Sequence, residues 1–238
     1  MGNLSKVIVT ETCLKILDCK SFLDFEDSIS SLLTISIDFS TIESLIISGS
    51  IIDSFDFLKY FSSLKRLSFL ACKSDSWPEL EGSNSIESLR LHNLRHGKKY
   101  LESIGFVQTF LNLKHLYVNM LGLNNFSELH GLKHLNTILA QCRNTNDIKT
   151  QFDFSALEFL PSLKVFSTWM AVDKHRIHAE NIIPVLKNPS ISSVDVTQIY
   201  STEDKKLQKL IAAINPKLLK ESLSDKELQT ITRQYFAW

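Results

Sequence analysis

Apolar side chains recur along this chain in short phrases rather than in long amphipathic stretches. In Leu64-Lys65-Arg66-Leu67-Ser68-Phe69-Leu70-Ala71-Cys72 the first, fourth and sixth positions are apolar and the ninth is cysteine. Related phrases start at Ile42, Ile86, Leu113, Leu132, Leu163 and Ile191, spaced by roughly 20 to 30 residues. The fourth and sixth positions alternate along a short strand, so Leu67 and Phe69 face a core while Arg66, Ser68 and Leu70 face away. The outward Ser68 and Ser88 are expected to meet solvent. A unit of this size cannot bury its apolar edge alone, so the phrases predict a stack of similar units.

Between the strands, residues 53–61, 98–110, 147–160, 177–186 and 203–214 carry helical periodicity, most clearly the stripe Leu101, Ile104, Val107 and Phe110. Pro184 shortens or kinks the fourth. Strand–helix alternation predicts a parallel sheet with helices on its other side. The ends depart from the pattern. Residues 1–40 are expected to form an amino-terminal cap with strands at 7–9 and 14–17, and residues 201–238 a helical carboxyl-terminal cap. There Ser224-Asp225-Lys226-Glu227 has capping-box spacing and opens a last helix through Leu228, Ile231 and Tyr235. The aromatic cluster Tyr235-Phe236-Ala237-Trp238 is expected to close the last repeat. No linker interrupts the chain, which reads as one domain, 1–238, with about seven irregular repeats over 41–200.

Segments 64–72 and 86–94 resemble leucine-rich repeats, and weaker matches extend the resemblance over roughly residues 40 to 200. The resemblance implies an α/β solenoid with a curved parallel sheet on its concave side, helices on its convex side, and a non-catalytic, protein-binding role. Cys72 fits the family's ninth position, whereas Ser50, Leu94, Leu121, Ala140, Ala171 and Ile199 do not keep its asparagine ladder. Near Leu132 two frames compete, Leu132/Leu135/Thr137 and Leu135/Ile138/Ala140.

Composition narrows the function classes. Apolar residues make up 44% and charged residues 22%, which is globular rather than disordered. The 26 basic residues balance the 26 acidic ones, so a nucleic-acid partner is not expected, because phosphate binding needs a basic surplus. The amino terminus lacks the design of a secretory signal, and the apolar run 45–52 is too short to span a bilayer. Four scattered cysteines do not make a disulfide framework. These points lead to a cytoplasmic protein with reduced thiols, no membrane contact, and a monomeric state by itself.

Phosphate-loop, dinucleotide and nucleophile-elbow motifs are absent from the sequence. His92 and His96, or His175 and His178, have helical metal-ligand spacing, but neither pair has a clear third ligand, so no metal or cofactor is expected. Cys13 and Cys19 lie among apolar residues and read as inert. The outward strand positions are richer. Arg66, Arg90, His92, His115, Tyr117, Asn119, His134 and Trp169 form a basic and aromatic band, with no acidic outward residue before Asp195. Arg, Tyr and Trp dominate interface energetics, so this band is the expected partner site. Arg90 and Tyr117 fall in one column on consecutive strands. The function this leads to is occlusion of a protein partner with an acidic or mixed patch. In size and architecture the chain is similar to bacterial immunity proteins, which implies a toxin domain as the partner. An adaptor or effector that recruits a substrate is the alternative, and an enzyme using the histidine-rich centre is a further one.

Overall fold

A computed structural model describes residues 7–34, 37–74, 77, 85–142, 152–169, 178–197, 201–221 and 224–236. Strands β1 (Val7–Val9) and β2 (Cys13–Leu17) form an antiparallel hairpin, and helix α1 (Phe22–Thr34) follows. Then come β3 (Ser44–Ser48), β4 (Arg66–Leu70), β5 (Lys73–Ser74), β6 (Ser88–His92), β7 (Arg95–His96), β8 (Lys99–Tyr100), β9 (His115–Met120), β10 (Thr137–Cys142) and β11 (Val165–Trp169). The rest is α2 (Ile183–Lys187), β12 (Ser193–Thr197), α3 (Ser201–Ile214), α4 (Leu218–Glu221) and α5 (Asp225–Phe236). Among the described residues one nine-stranded sheet runs β1-β2-β3-β4-β6-β9-β10-β11-β12, parallel from β2 onward. A small sheet β5-β7-β8 sits beyond the strand exits.

The register reproduces the phrase spacing. Leu45, Leu67, Leu89, Leu116, Ile138, Phe166 and Val194 are aligned side by side, and so are Ile47, Phe69, Leu91, Val118, Ala140, Thr168 and Val196. At each strand's approach one carbonyl accepts two amides of the next unit. Glu43 O takes Lys65 N and Arg66 N, Lys65 O takes Glu87 N and Ser88 N, and the series continues through Glu87, Lys114, Asn136 and Lys164. This ladder satisfies backbone groups that an isolated unit leaves bare.

Two features extend the repeat beyond the sequence reading. First, β2 is itself a repeat strand. Leu14 and Ile16 align with Leu45 and Ile47, and Cys19 takes the ninth position. Second, the residue after each of the first four parallel strands is left-handed, at Asp18 (φ 56), Gly49 (φ 60), Ala71 (φ 53) and Asn93 (φ 50). The turn drops the next side chain into the core, so Cys19, Ser50, Cys72 and Leu94 are fully buried in succession. Ser50 Oγ accepts from Cys19 N at 3.1 Å and donates to Ser48 O at 2.9 Å, and Cys72 Sγ donates to Ile47 O at 3.2 Å. Ser50 therefore ties the Cys19 amide of the preceding unit to the end of its own strand. Burial pushes the Cys72 thiol up to about 12, so it is an inert packing group.

The convex side differs from the expected α-helices. Residues Asp56–Tyr60, Gly105–Thr109, Ser127–Leu129 and Ser155–Phe159 are short 3₁₀ turns, and the start of 98–110 belongs to the β7–β8 hairpin. The stretch 177–186 becomes a 3₁₀ turn (Ala179–Ile182) leading into α2, with Pro184 in its first turn. Between strands of the large sheet a long α-helix occurs at α1, in the β2–β3 connection, and the other long ones among the described residues, α3 and α5, follow the last strand. Phenylalanines knit the turns to the sheet. Phe154 meets Phe166 edge-on at 5.4 Å and Phe152 at 4.7 Å, and Phe55 lies 5.3 Å from Phe69. Buried Asn188 donates to Leu157 O (2.7 Å) and Leu160 O (2.9 Å), tying α2 to the preceding turn.

Candidate partner-binding face

Outward residues of the parallel strands fall into three columns across the concave face. The first runs Cys13, Ser44, Arg66, Ser88, His115, Thr137, Val165 and Ser193. The second runs Lys15, Ile46, Ser68, Arg90, Tyr117, Leu139, Ser167 and Asp195, and the third Leu17, Ser48, Leu70, His92, Asn119, Gln141, Trp169 and Thr197. Along the first column small side chains separate large ones. Ser44 and Ser88 flank Arg66, and Ser88 and Thr137 flank His115. Bulky groups on a concave surface converge, and the small neighbours lie beneath them. Ser68 and Ser88 are accordingly buried (1% and 3% exposed), contrary to the expectation that they meet solvent.

The centre is built around Arg90. Its guanidinium lies 5.2 Å from the centroid of the Tyr117 ring on the adjacent strand, as the column reading required. Its Nη1 donates at 3.1 Å to the carbonyl oxygen of Phe236, in the last turn of α5. Tyr235 stacks on His115 with ring centroids 3.7 Å apart and planes 17° apart, and Phe236 lies 5.6 Å from Tyr117. Here the structure corrects the sequence reading of the aromatic cluster. Helices α3 and α4 pack at the carboxyl-terminal end, α3 on α2 and α4 on β12, whereas α5 turns back over the concave face onto β6. Trp238 lies outside the described residues.

The length of α5 explains its reach. Twelve residues at ~1.5 Å each span ~18 Å, close to the ~19 Å of four strand spacings between β12 and β6. The helix starts from the expected capping box. Glu227 N donates to Ser224 Oγ at 3.4 Å, while Ser224 Oγ and then Ser224 N, each donating to Glu227 Oε2 at 2.7 Å, hold the Glu227 carboxyl below its ordinary range.

Beneath α5 the polar inventory does not close. Ser68 Oγ, Arg90 Nε and His115 Nδ1 are buried without a hydrogen-bond partner, as is Arg66 Nε nearby. A buried polar atom without a partner costs about 1–3 kcal/mol. Burial, with Lys114 beside it, pushes the His115 imidazole down to about 4, and Glu87 opposes the shift weakly. Burial and then Arg90 push His92 down as well. For His115 the unfolded imidazole, near its ordinary 6.5, binds a proton before the folded one does. Stability from this site is therefore complete above about pH 6.5 and is lost as pH falls through about 4. We expect thermal melts of the wild type to fall more steeply between pH 7 and pH 4.5 than those of His115→Gln. Equal slopes would show that His115 does not contribute.

The other expected site residues are distributed as follows. Arg66 pairs with Glu43 at 3.3 Å on a half-exposed part of the face, and Asn119 Nδ2 donates to Gln141 Oε1 at 2.8 Å. Trp169 ends β11 in the third column, opposite Thr197, and its side chain lies outside the description. His134 is a correction. Strand β10 follows the Leu135/Ile138/Ala140 frame, which leaves His134 exposed in the turn before it, beside Lys65, Glu87 and Lys114 at the sheet's rim. In the same frame Ile138 is fully buried, and Thr137, Leu139 and Gln141 face the concave side. The sequence reading missed these three and Lys15. Ser167 Oγ donates to Asp195 Oδ2 at 2.7 Å, which engages the acidic residue at that end.

Among the described residues no group of three or more His, Cys, Asp or Glu could hold a metal ion. His92 ends β6 while His96 is exposed in the β7–β8 hairpin, and His178 caps the turn before α2, 3.7 Å from Glu203. His175 falls outside the described residues. No described helix is long and apolar enough to cross a membrane.

Strand register, left-handed turns and the buried ninth position define a leucine-rich-repeat solenoid of the α/β class. No family model matches the sequence, and no curated protein does. Among solved structures the chain is similar to an internalin from Listeria monocytogenes, at 14% identity over 83% of this chain and 65% of that one, with a TM-score of 0.49. Internalin C2 of the same organism gives 14%, 80%, 77% and 0.47. The Toll–Spatzle complex of Drosophila gives 10%, 85%, 30% and 0.47. This chain thus spans less than two thirds of the first internalin and under a third of Toll.

Proposed function

We propose that this protein is a non-enzymatic scaffold that binds and occludes a protein partner through the concave face of its sheet. The observation that carries the reading is the Arg90–Tyr117 pair at the centre of that face. Arg66, His115 and Asn119 surround it, and Asp195, at the far end, is the one acidic outward residue on the described strands. Such a surface suits a partner with an acidic or mixed patch, because complementary charge fixes orientation and rejects wrong partners. The partner we assign is a toxin domain, neutralised in the cytoplasm. A toxin gene beside the gene for this chain, and rescue of toxin-expressing cells by the wild type but not by Arg90→Glu, are the expected results.

The biophysical test is capture of the partner from the source cell, followed by calorimetry. Arg90→Glu should weaken binding by about 2 kcal/mol or more, since it places like charges together at the interface centre. Lys59→Glu, on a convex turn, should change it by less than about 0.5 kcal/mol. Normal binding by Arg90→Glu, with loss on convex substitution, would move the site to the other side of the solenoid.

A further inference from the structure

The concave face is not open. Helix α5 lies on it, and the way it lies there is informative. Helices that belong to the core bury their apolar stripe: Phe25, Ile29 and Leu32 of α1, and Leu207 and Ile211 of α3, are all at most 5% exposed. In α5 only Phe236 is buried in this way, while Leu228, Ile231 and Tyr235 remain half-exposed. Its tip meets the sheet through Tyr235 on His115 and Phe236 on Tyr117, together with the Phe236 carbonyl on Arg90.

The same place holds donors that α5 leaves unused. The Phe236 carbonyl takes only Nη1 of Arg90, while Nε of that guanidinium is buried without a partner. Ser68, adjacent to Arg90 in the second column, is 1% exposed with its Oγ unpaired. A guanidinium binds a carboxylate through two parallel N–H bonds, and such charge-assisted pairs are stronger than a bond to a neutral carbonyl. The seat therefore matches the shape of a helix end with two aromatic rings, and its donors call for one more acceptor and a negative charge.

We propose that α5 is an exchangeable occupant of the partner seat, and that the partner which displaces it presents an amphipathic helix ending in adjacent aromatic side chains and a carboxylate. The inference rests on the concave-face reading above and names the chemistry that the face recognises. The rings replace Tyr235 and Phe236 on His115 and Tyr117. The carboxylate takes Nε and Nη2 of Arg90, whose N–H bonds are parallel, with the Ser68 hydroxyl beside them. Because α5 is covalently attached, it is present at high effective concentration, and only a ligand with stronger contacts displaces it.

The test uses two synthetic peptides spanning residues 224–236, one ending in a free carboxylate and one in an amide, titrated against the full chain. In the free acid the terminal carboxylate lies against the same Arg90 guanidinium that the Phe236 carbonyl meets in α5. With Tyr235→Ala/Phe236→Ala protein the free acid should bind at least tenfold tighter than to wild type, and at least tenfold tighter than the amide does. Adding Arg90→Ala should remove the difference between the two peptides. Equal binding of both peptides to all proteins, or no binding to any, overturns the proposal. Hydrogen exchange on the unmodified chain supplies a measurement that needs no variant. The α5 amides should exchange through an opening that leaves β6 and β9 protected, and exchange of all three elements only on global unfolding overturns the proposal. Neither measurement needs the natural partner. If α5 exchanges but the captured partner ignores Arg90→Glu, the concave-face function fails and the exchangeable seat stands. If that partner is sensitive to Arg90→Glu but α5 is fixed, the reverse holds.

Discussion

Phe166→Ala should destabilise the protein by about 3–5 kcal/mol, read as a fall in the denaturant midpoint with little change in slope. Phe166 is fully buried at the fourth position of its repeat, between Ile138 and Val194 on the neighbouring strands. It also receives Phe154 edge-on at 5.4 Å from the convex turn. Truncation removes a large apolar side chain and leaves a cavity shared by three strands and a turn, which cannot all collapse inward together. In a stack held by nearest-neighbour interfaces, loss at one unit weakens both adjoining ones. A loss below about 1 kcal/mol would mean that Phe166 does not occupy the core.

A comparison of Ile138→Ala with His134→Ala separates the two frames that compete near Leu132. Ile138 is fully buried beside Leu116 and Phe166, so its truncation should cost about 2–5 kcal/mol. His134 stands exposed before the strand, and its truncation should stay within about 0.5 kcal/mol. Denaturant titration of both variants reads the answer. A small effect at Ile138 beside a large one at His134 would reverse the strand.

The strands were legible because their side-chain period is two and the core accepts only one face, so Leu67/Phe69 and Leu89/Leu91 leave no choice of orientation. The Arg90–Tyr117 neighbourhood followed from the same register. The β2 repeat was harder to see because its first position is the polar Glu11, although Leu14, Ile16 and Cys19 carry the rest of the phrase. The convex turns were mistaken for α-helices even though Leu101, Ile104, Val107 and Phe110 recur every three residues. That is the period of a 3₁₀ turn, not of an α-helix. The seat of α5 was not legible at all. Helical periodicity shows which stripe of Leu228, Ile231 and Tyr235 seeks cover, but not which surface, 146 residues away at Arg90, provides it.

Repeat arrays ordinarily tolerate gain or loss of a unit, because each unit touches only its neighbours. The stretch from β6 to β12 is exempt from that freedom. Helix α5 works there as a ruler, anchored beside β12 by α4 and ending on Arg90. A unit inserted within this stretch would shift the docked tip by one strand, ~4.8 Å, and carry the Phe236 carbonyl away from Arg90. In its docked position the length of a helix that is not itself a repeat thus matches the number of strands from β6 to β12.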